Sequence, residues 1–467
     1  MSRLREWHIG QYIADRKLCV GDKRKGAQVA IKKALILGNP NSIHCPELTA
    51  ALISNGIEVG VVTRKIPEGN STGVEPAGGA PVLTSSLWET PLHRRSYVFL
   101  EQHLQKIESE MISCDRDRYE RAMQGHHFCR PRFTPAIVDG LSIARRVRSI
   151  RPDFVIGQEA STFGLATAWC RGFPRIIMPW GGDIFMYCDT TTMASRVVTY
   201  ALRQADLIVT GAASSIPYIE SRFGVDRAHI HFTGCWGLNR EQFRHAPEEE
   251  RRQICERFKI APENLIVMNV RRFCPAWGSD VALEAFVRFA ASEPDAHFVL
   301  LGGSGTEPYT ETARQRISAE GLTHRFVILE GDQPLEVCAK LMAVTDIFVS
   351  LIQMRDMRSA SVLQAAAAGG APIIGDQAEY RCMESEGFRA LFVDGEDVTS
   401  VVRALHEYAQ QPELRRTVAS ANQGYLTRHE DGERQMRQFL QRVDQICESY
   451  RQEKRSKDCD RSIESYL

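Results

Sequence analysis

Two successive runs of short apolar segments, each alternating with longer amphipathic ones, constrain this chain more than any other feature. The first run opens at residues 34–38 (ALILG) and passes through a loop at 39–44. A helical pattern carrying Leu48, Leu52 and Ile53 ends at Asn55-Gly56, and a second apolar segment follows at 59–63. Strand, loop, helix, strand reads as a βαβ unit, because parallel neighbours need a crossover long enough to hold a helix. Residues 65–135 are less regular, with Gly and Pro crowded at 67–81 and a polar helical stretch at 100–124, and read as an elaboration of the first domain. The rhythm returns with a helix ending near Ile150, strands at 154–156, 175–178 and 207–210, and a helix at 194–205.

A polar stretch at 244–252 reads as a linker and helix, and then the pattern restarts. Strands at 265–270, 297–301, 326–329, 347–351 and 372–374 alternate with helices at 281–291, 309–320, 335–343 and 360–368. Two such sets predict an α/β architecture of two Rossmann-like, doubly wound domains facing a cleft. Sheets of that kind bind ligands beyond the carboxyl ends of their strands, so the loops there are where chemistry is expected. Residues 412–450 read as helical, 451–467 as a charged tail and 1–32 as an N-terminal extension.

The 467 residues leave room for two such domains. Lys plus Arg equals Asp plus Glu at 58 each, so no global field points to nucleic acid. The 13 cysteines are scattered without a C-x-x-C pair, which fits reduced thiols better than a disulfide frame or a zinc site. No apolar run approaches the about 18 residues of a membrane span, and the first thirty-odd residues lack a signal-peptide core. A cytoplasmic location is the expectation, with peripheral attachment to a membrane left open.

Several segments, in order over residues 34–440, carry a family resemblance. They are Asn39-Pro40-Asn41-Ser42-Ile43-His44 with 56–63, Trp180-Gly181-Gly182-Asp183-Ile184, Gly237-Leu238-Asn239 with Phe243, 270–280 (VRRFCPAWGSD) and 356–376 (DMRSASVLQAAAAGGAPIIGD). Together they resemble the retaining GT-B glycosyltransferases of family 4, also called glycosyl transferases group 1. The resemblance implies an acceptor-side domain at 33–243 and a donor-nucleotide domain at 244–411, with helices at 412–450 packing back on the first domain. It implies transfer of a sugar, with retention, from a nucleotide-sugar such as a UDP- or GDP-sugar. The acceptor would be a saccharide, a lipid-linked molecule or another hydroxyl compound. No metal or dissociable cofactor is implied.

The same resemblance assigns candidate residues. Arg272 would grip the donor diphosphate, for which a planar guanidinium is well shaped. The lysine that follows in the family is Trp277 here, so Arg271, Arg355 or Arg358 would have to supply the missing charge; Trp277 could stack on a ligand or pack on Pro275. Asp356 would contact the transferred sugar, and Gln364, where the family has glutamate, the ribose hydroxyls. Ser359 and Ser361 open a helix whose N–H groups and dipole favour phosphate, with Ser359 an expected N-cap. Asp183 is read as an acid left exposed after two glycines, against the alternative of a turn-capping aspartate. His44 in the first loop and Gly303 in the cluster 302–305 complete the candidates, although an ordinary loop histidine and a simple glycine turn explain them equally well. The H-x-H of the family is replaced by Ile156 and Gln158. Asp115-x-Asp117 and His126-His127-x-Cys129 lack the context that metal binding requires.

Three functions fit these residues: a glycosyltransferase, a catalytically degenerate relative that binds without turnover, and a sugar-nucleotide epimerase of the same fold. Trp277 and Gln364 are the features that favour the second.

Overall fold

The computed structural model describes residues 31–38, 44–64, 82–85, 105–107, 109–113, 133–234, 238–271, 273, 277–302, 307–331, 333–352 and 358–464. The strands of the first half are β1 (Lys33–Leu37), β2 (Glu58–Arg64), β3 (Val82–Ser85), β4 (Phe154–Gln158), β5 (Arg175–Met178), β6 (Leu207–Thr210) and β7 (Ile230–Phe232). They form one parallel sheet in the order β3-β2-β1-β4-β5-β6-β7. β1, β4 and β6 read as unbroken apolar runs rather than alternating ones, because helices cover both faces of a parallel sheet. Those helices are α1 (His44–Ser54), α2 (Phe133–Ile150), α3 (Thr162–Ala168), α4 (Thr192–Gln204) and α5 (Ser215–Phe223).

The second sheet holds β8 (Leu265–Val270), β9 (Ala296–Leu301), β10 (Phe326–Leu329), β11 (Ile347–Ser350), β12 (Ala371–Gly375) and β13 (Leu391–Val393), all parallel, in the order β10-β9-β8-β11-β12-β13. Its helices are α6 (Glu248–Phe258), α7 (Ser279–Ala290), α8 (Glu307–Ala319), α9 (Leu335–Ala343), α10 (Ala360–Ala367), α11 (Ala378–Ser385), α12 (Val398–Gln410) and α13 (Pro412–His429). In each sheet the chain turns back on itself at one point, between β1 and β4 in the first and between β8 and β11 in the second. A crevice opens at such a switch because the connections leave to opposite faces, and it is where this architecture binds ligands.

The last helix, α14 (Gly432–Glu464), leaves the second domain and returns to the first. Met436, Phe439, Leu440, Val443 and Cys447 are buried in the same cluster as Ile36, Val61, Phe154 and Leu207 of the first sheet. Polar contacts fix its course: Arg442 donates to the Ala228 carbonyl at 2.6 Å, and Tyr450 donates to Asp206 at 2.9 Å beside the Arg175–Asp206 ion pair.

Three features differ from the sequence reading. Residues 412–450 do not act as one unit, because Tyr425 and Leu426 of α13 lie in a core of the second domain and only α14 packs on the first. The helix runs through the residues expected as a charged tail, to Glu464. The edge strands β3, β7 and β13 were not anticipated; each is only three or four residues long, too short to display a period.

Candidate functional site

Charge and helix geometry meet at the switch point of the second sheet. β8 ends at Val270, so Arg271 emerges from the carboxyl edge of the strand, and α10 begins across the crevice after β11. The Arg271 guanidinium donates to the Ser359 hydroxyl, which shares a 2.9 Å hydrogen bond with Ser361. It also stacks over Trp277 at 5.4 Å from the ring centroid. The next residue, Gly278, has φ of +64° at the start of α7, and a Cβ there would run into the backbone of Leu351.

Arg271 is a cation held out of water. Its Nε is buried and lacks a hydrogen-bond partner, and no carboxylate pairs with it among the described residues. Burial therefore pulls its pKa down, opposed only by Tyr380. The Tyr380 hydroxyl, itself pushed up to about 12 chiefly by burial, accepts a 3.2 Å hydrogen bond from the Ser359 N–H. Ser359 occupies the N-cap position as expected, yet its side chain makes no capping bond, because Arg271 and Ser361 engage the hydroxyl. The start of α10 thus joins a guanidinium that has no acid partner among the described residues to a helix terminus whose dipole favours negative charge. Gln364 lies half-buried on the same helix, beyond Ser361.

Of the sequence candidates, Arg271, Ser359, Ser361 and Trp277 come together here, and Gln364 lies further along the same helix. Arg272, Asp356 and Gly303 lie outside the described residues, as do Asp115, Asp117 and the His126–Cys129 group. His44 opens α1 at the carboxyl end of β1. Of the three arginines considered for the missing lysine charge, Arg358 is engaged by Glu430 and Tyr425, Arg355 lies outside the described residues, and Arg271 stands at the start of α10. Among the described residues no group of His, Cys, Asp and Glu could hold a metal ion, and no helix is long and apolar enough to cross a membrane.

Asp183 departs from the expectation of an exposed acid. It is 8% exposed, and its carboxylate accepts from the backbone N–H groups of Ala160, Trp180 and Ile184. The turn-capping alternative describes it: the loop after β5 and a π-helical turn (Gly182–Tyr187) are pinned to the end of β4 through this side chain.

The sequence reading missed its neighbour Glu159. This residue has φ of +84°, accepts from the Phe163 N–H at 2.8 Å and bonds the Ser161 hydroxyl at the start of α3. Burial first, and then the charge of Asp183, raise its pKa to about 7. A carboxyl that titrates near 4.5 when unfolded and near 7 when folded holds its proton more tightly in the native state. Its contribution to stability is full below the lower value and is lost as pH rises through the upper one. Glu159→Gln should therefore match wild type at about pH 4.5 and exceed it at about pH 8 by up to about 3 kcal/mol, measured by denaturant titration.

Comparison with known proteins converges on one fold. Residues 250–424 match the family model described as Glycosyl transferases group 1. Sucrose-phosphate synthase from Thermosynechococcus elongatus superposes with a TM-score of 0.68 at 14% identity, covering 90% of this chain and 100% of that one. Anabaena HepE in complex with UDP-glucose superposes with a TM-score of 0.64 at 14% identity, covering 89% and 99%. The fold is GT-B, and residues 250–424 within its second half resemble a group 1 glycosyltransferase domain. The Arg271–Ser359 cluster sits at the switch point of the second sheet, at the carboxyl ends of β8 and β11. Among curated proteins, a GDP-mannose-dependent alpha-(1-6)-phosphatidylinositol monomannoside mannosyltransferase from Mycolicibacterium smegmatis is 24% identical over 215 residues. That match covers 44% of this chain and 54% of the relative, so the chain spans about half the length of the curated protein it matches.

Proposed function

We propose that this GT-B protein transfers a sugar from a nucleoside-diphosphate sugar to an acceptor hydroxyl, with the anomeric configuration retained. The observation that carries the reading is Arg271: a buried guanidinium with no acid beside it among the described residues, bonded to the serine that opens α10. An uncompensated cation at a helix N-terminus is matched by a diphosphate, and most of all by one gaining charge as a leaving group. Arg272 and Asp356 are assigned with it, to the diphosphate and the transferred sugar, and Gln364 to the ribose. Catalysis would be positional and electrostatic, with no cofactor beyond the donor. Support for the donor class comes from HepE, whose structure holds UDP-glucose, and from the GDP-mannose-dependent relative; the base stays open between these. A cytoplasmic site of action and an acceptor that is a saccharide or lipid-linked molecule belong to the same proposal.

A second reading, binding without turnover, is favoured by Trp277 and Gln364, which stand where the family has lysine and glutamate. Incubation with UDP- and GDP-sugars and a panel of saccharide and lipid-linked acceptors separates the two. Transfer releases free nucleoside diphosphate in step with a glycosylated product. Tight binding of the diphosphate with neither product is the signature of the second reading.

A further inference from the structure

A second cluster of buried charge lies one residue from the donor-side serine and belongs to both domains. Arg358 immediately precedes Ser359, but its guanidinium points away from the helix start. It pairs with Glu430 at the end of α13, donates to the Tyr425 hydroxyl at 2.8 Å and lies 3.9 Å from Glu379 on α11. The three charged side chains are 3%, 0% and 1% exposed. Phe232, at the end of β7 in the first domain, faces the same guanidinium at 5.8 Å.

Glu379 extends the cluster across the cleft. Its carboxylate accepts from both the backbone N–H and the hydroxyl of Ser214, at 2.9 and 3.0 Å, and Ser214 lies beyond β6 in the first domain. Gly234, where the chain leaves the first domain, packs so closely on Glu430 and Gln435 that a Cβ has no room. The outward crossing after β7 and the return between α13 and α14 therefore both pass this cluster. Rotation of one domain on the other must break the Ser214–Glu379 bonds. Buried charges do not slide freely, because each loses its partner before gaining another, so such a cluster has discrete arrangements rather than a continuum.

We propose that Arg358 is a positioning residue that ties the start of α10 to the domain hinge, so that the relation of the domains sets the geometry in which a diphosphate meets Ser359 and Arg271. The inference rests on the donor-site reading above. Arg358 itself contacts no substrate; it acts through the serine next to it in the chain.

The test uses the full chain as wild type, Arg358→Lys and Ser214→Ala, the last removing one hydroxyl on the opposite domain. Calorimetric titration with UDP and GDP is paired with amide hydrogen exchange over residues 230–234, 359–363 and 430–436. Arg358→Lys should weaken the diphosphate that wild type binds by about tenfold, and Ser214→Ala by about threefold, both within ordinary coupling free energies. Exchange should quicken in all three segments in both variants. Variants that melt earlier but keep wild-type affinity and wild-type exchange when folded would mark Arg358 as merely structural and overturn the proposal. Should wild type bind neither nucleotide, the donor-site reading fails, and exchange alone decides: quickening at 359–363 in Ser214→Ala supports the tie, and its absence overturns it.

Discussion

Replacing Arg271 by methionine is expected to move affinity and stability in opposite directions. The guanidinium donates to Ser359, lies on Trp277 and has no acid partner among the described residues, so in the free protein its desolvation is poorly compensated. Methionine keeps the apolar stem against Trp277 and removes that cost, so the melting temperature should hold or rise. A charge-assisted contact to phosphate is worth about 1.5–3 kcal/mol, which makes the expected loss in UDP or GDP affinity roughly 10- to 100-fold. Trp277→Lys in the Arg271→Met background returns a cation to the site and should recover part of that loss. In the wild-type background the same lysine would meet Arg271 as a like charge and lose the aromatic face under it. Calorimetry and thermal melts on the three proteins check the set. An Arg271→Met protein that binds nucleotide as wild type does would remove this arginine from the donor site.

Ending the chain after Asp431 is expected to prevent the first domain from folding. The deletion removes Met436, Phe439, Leu440, Val443 and Cys447, all buried against β1, β2, β4 and β6. Each large apolar side chain contributes about 1.5–3 kcal/mol on burial, so their sum is comparable to the whole stability of a domain. The second domain keeps α13 and its own two clusters and should remain folded. Limited proteolysis should leave a resistant fragment that begins near residue 240, and circular dichroism should show a partial loss of helix. A truncated protein with an intact, protease-resistant first domain would refute the dependence.

The alternation of apolar strands with amphipathic helices was legible because a two-sided parallel sheet writes itself as unbroken runs such as LIVT in β6 and LIVMNV in β8. The edge strands β3, β7 and β13 were not, since three or four residues carry no period, whereas the edge strand β10 was legible as the apolar run FVIL. At the site, the loop positions could be read because they follow strand ends, and Ser359 and Ser361 because helix starts have a composition. The different surroundings of Arg271 and Arg358 could not be read. The two are alike in sequence, and only the positions of Glu379 and Glu430, distant in the chain, give Arg358 acid partners that Arg271 lacks among the described residues. Asp183 was legible as a special residue, but its direction was decided by three backbone N–H groups whose convergence no local pattern encodes. Glu159 was hidden for the same reason, its proton affinity arising from that aspartate and from burial.

The return of α14 to the first domain also orders events in time. A chain grows from its N-terminus, and domains generally fold as units while it emerges. Here the first sheet is made early but stays without part of its cover until α14 has been synthesised, after every strand of the second sheet. The second domain, made later, can close first. Until then the apolar face of β1, β2 and β4 is open to solvent, and a chaperone that shields nascent apolar surface would find its site on the older half of the chain. Premature termination at the start of α14, before Met436, would leave the newer half intact and the older half unfinished.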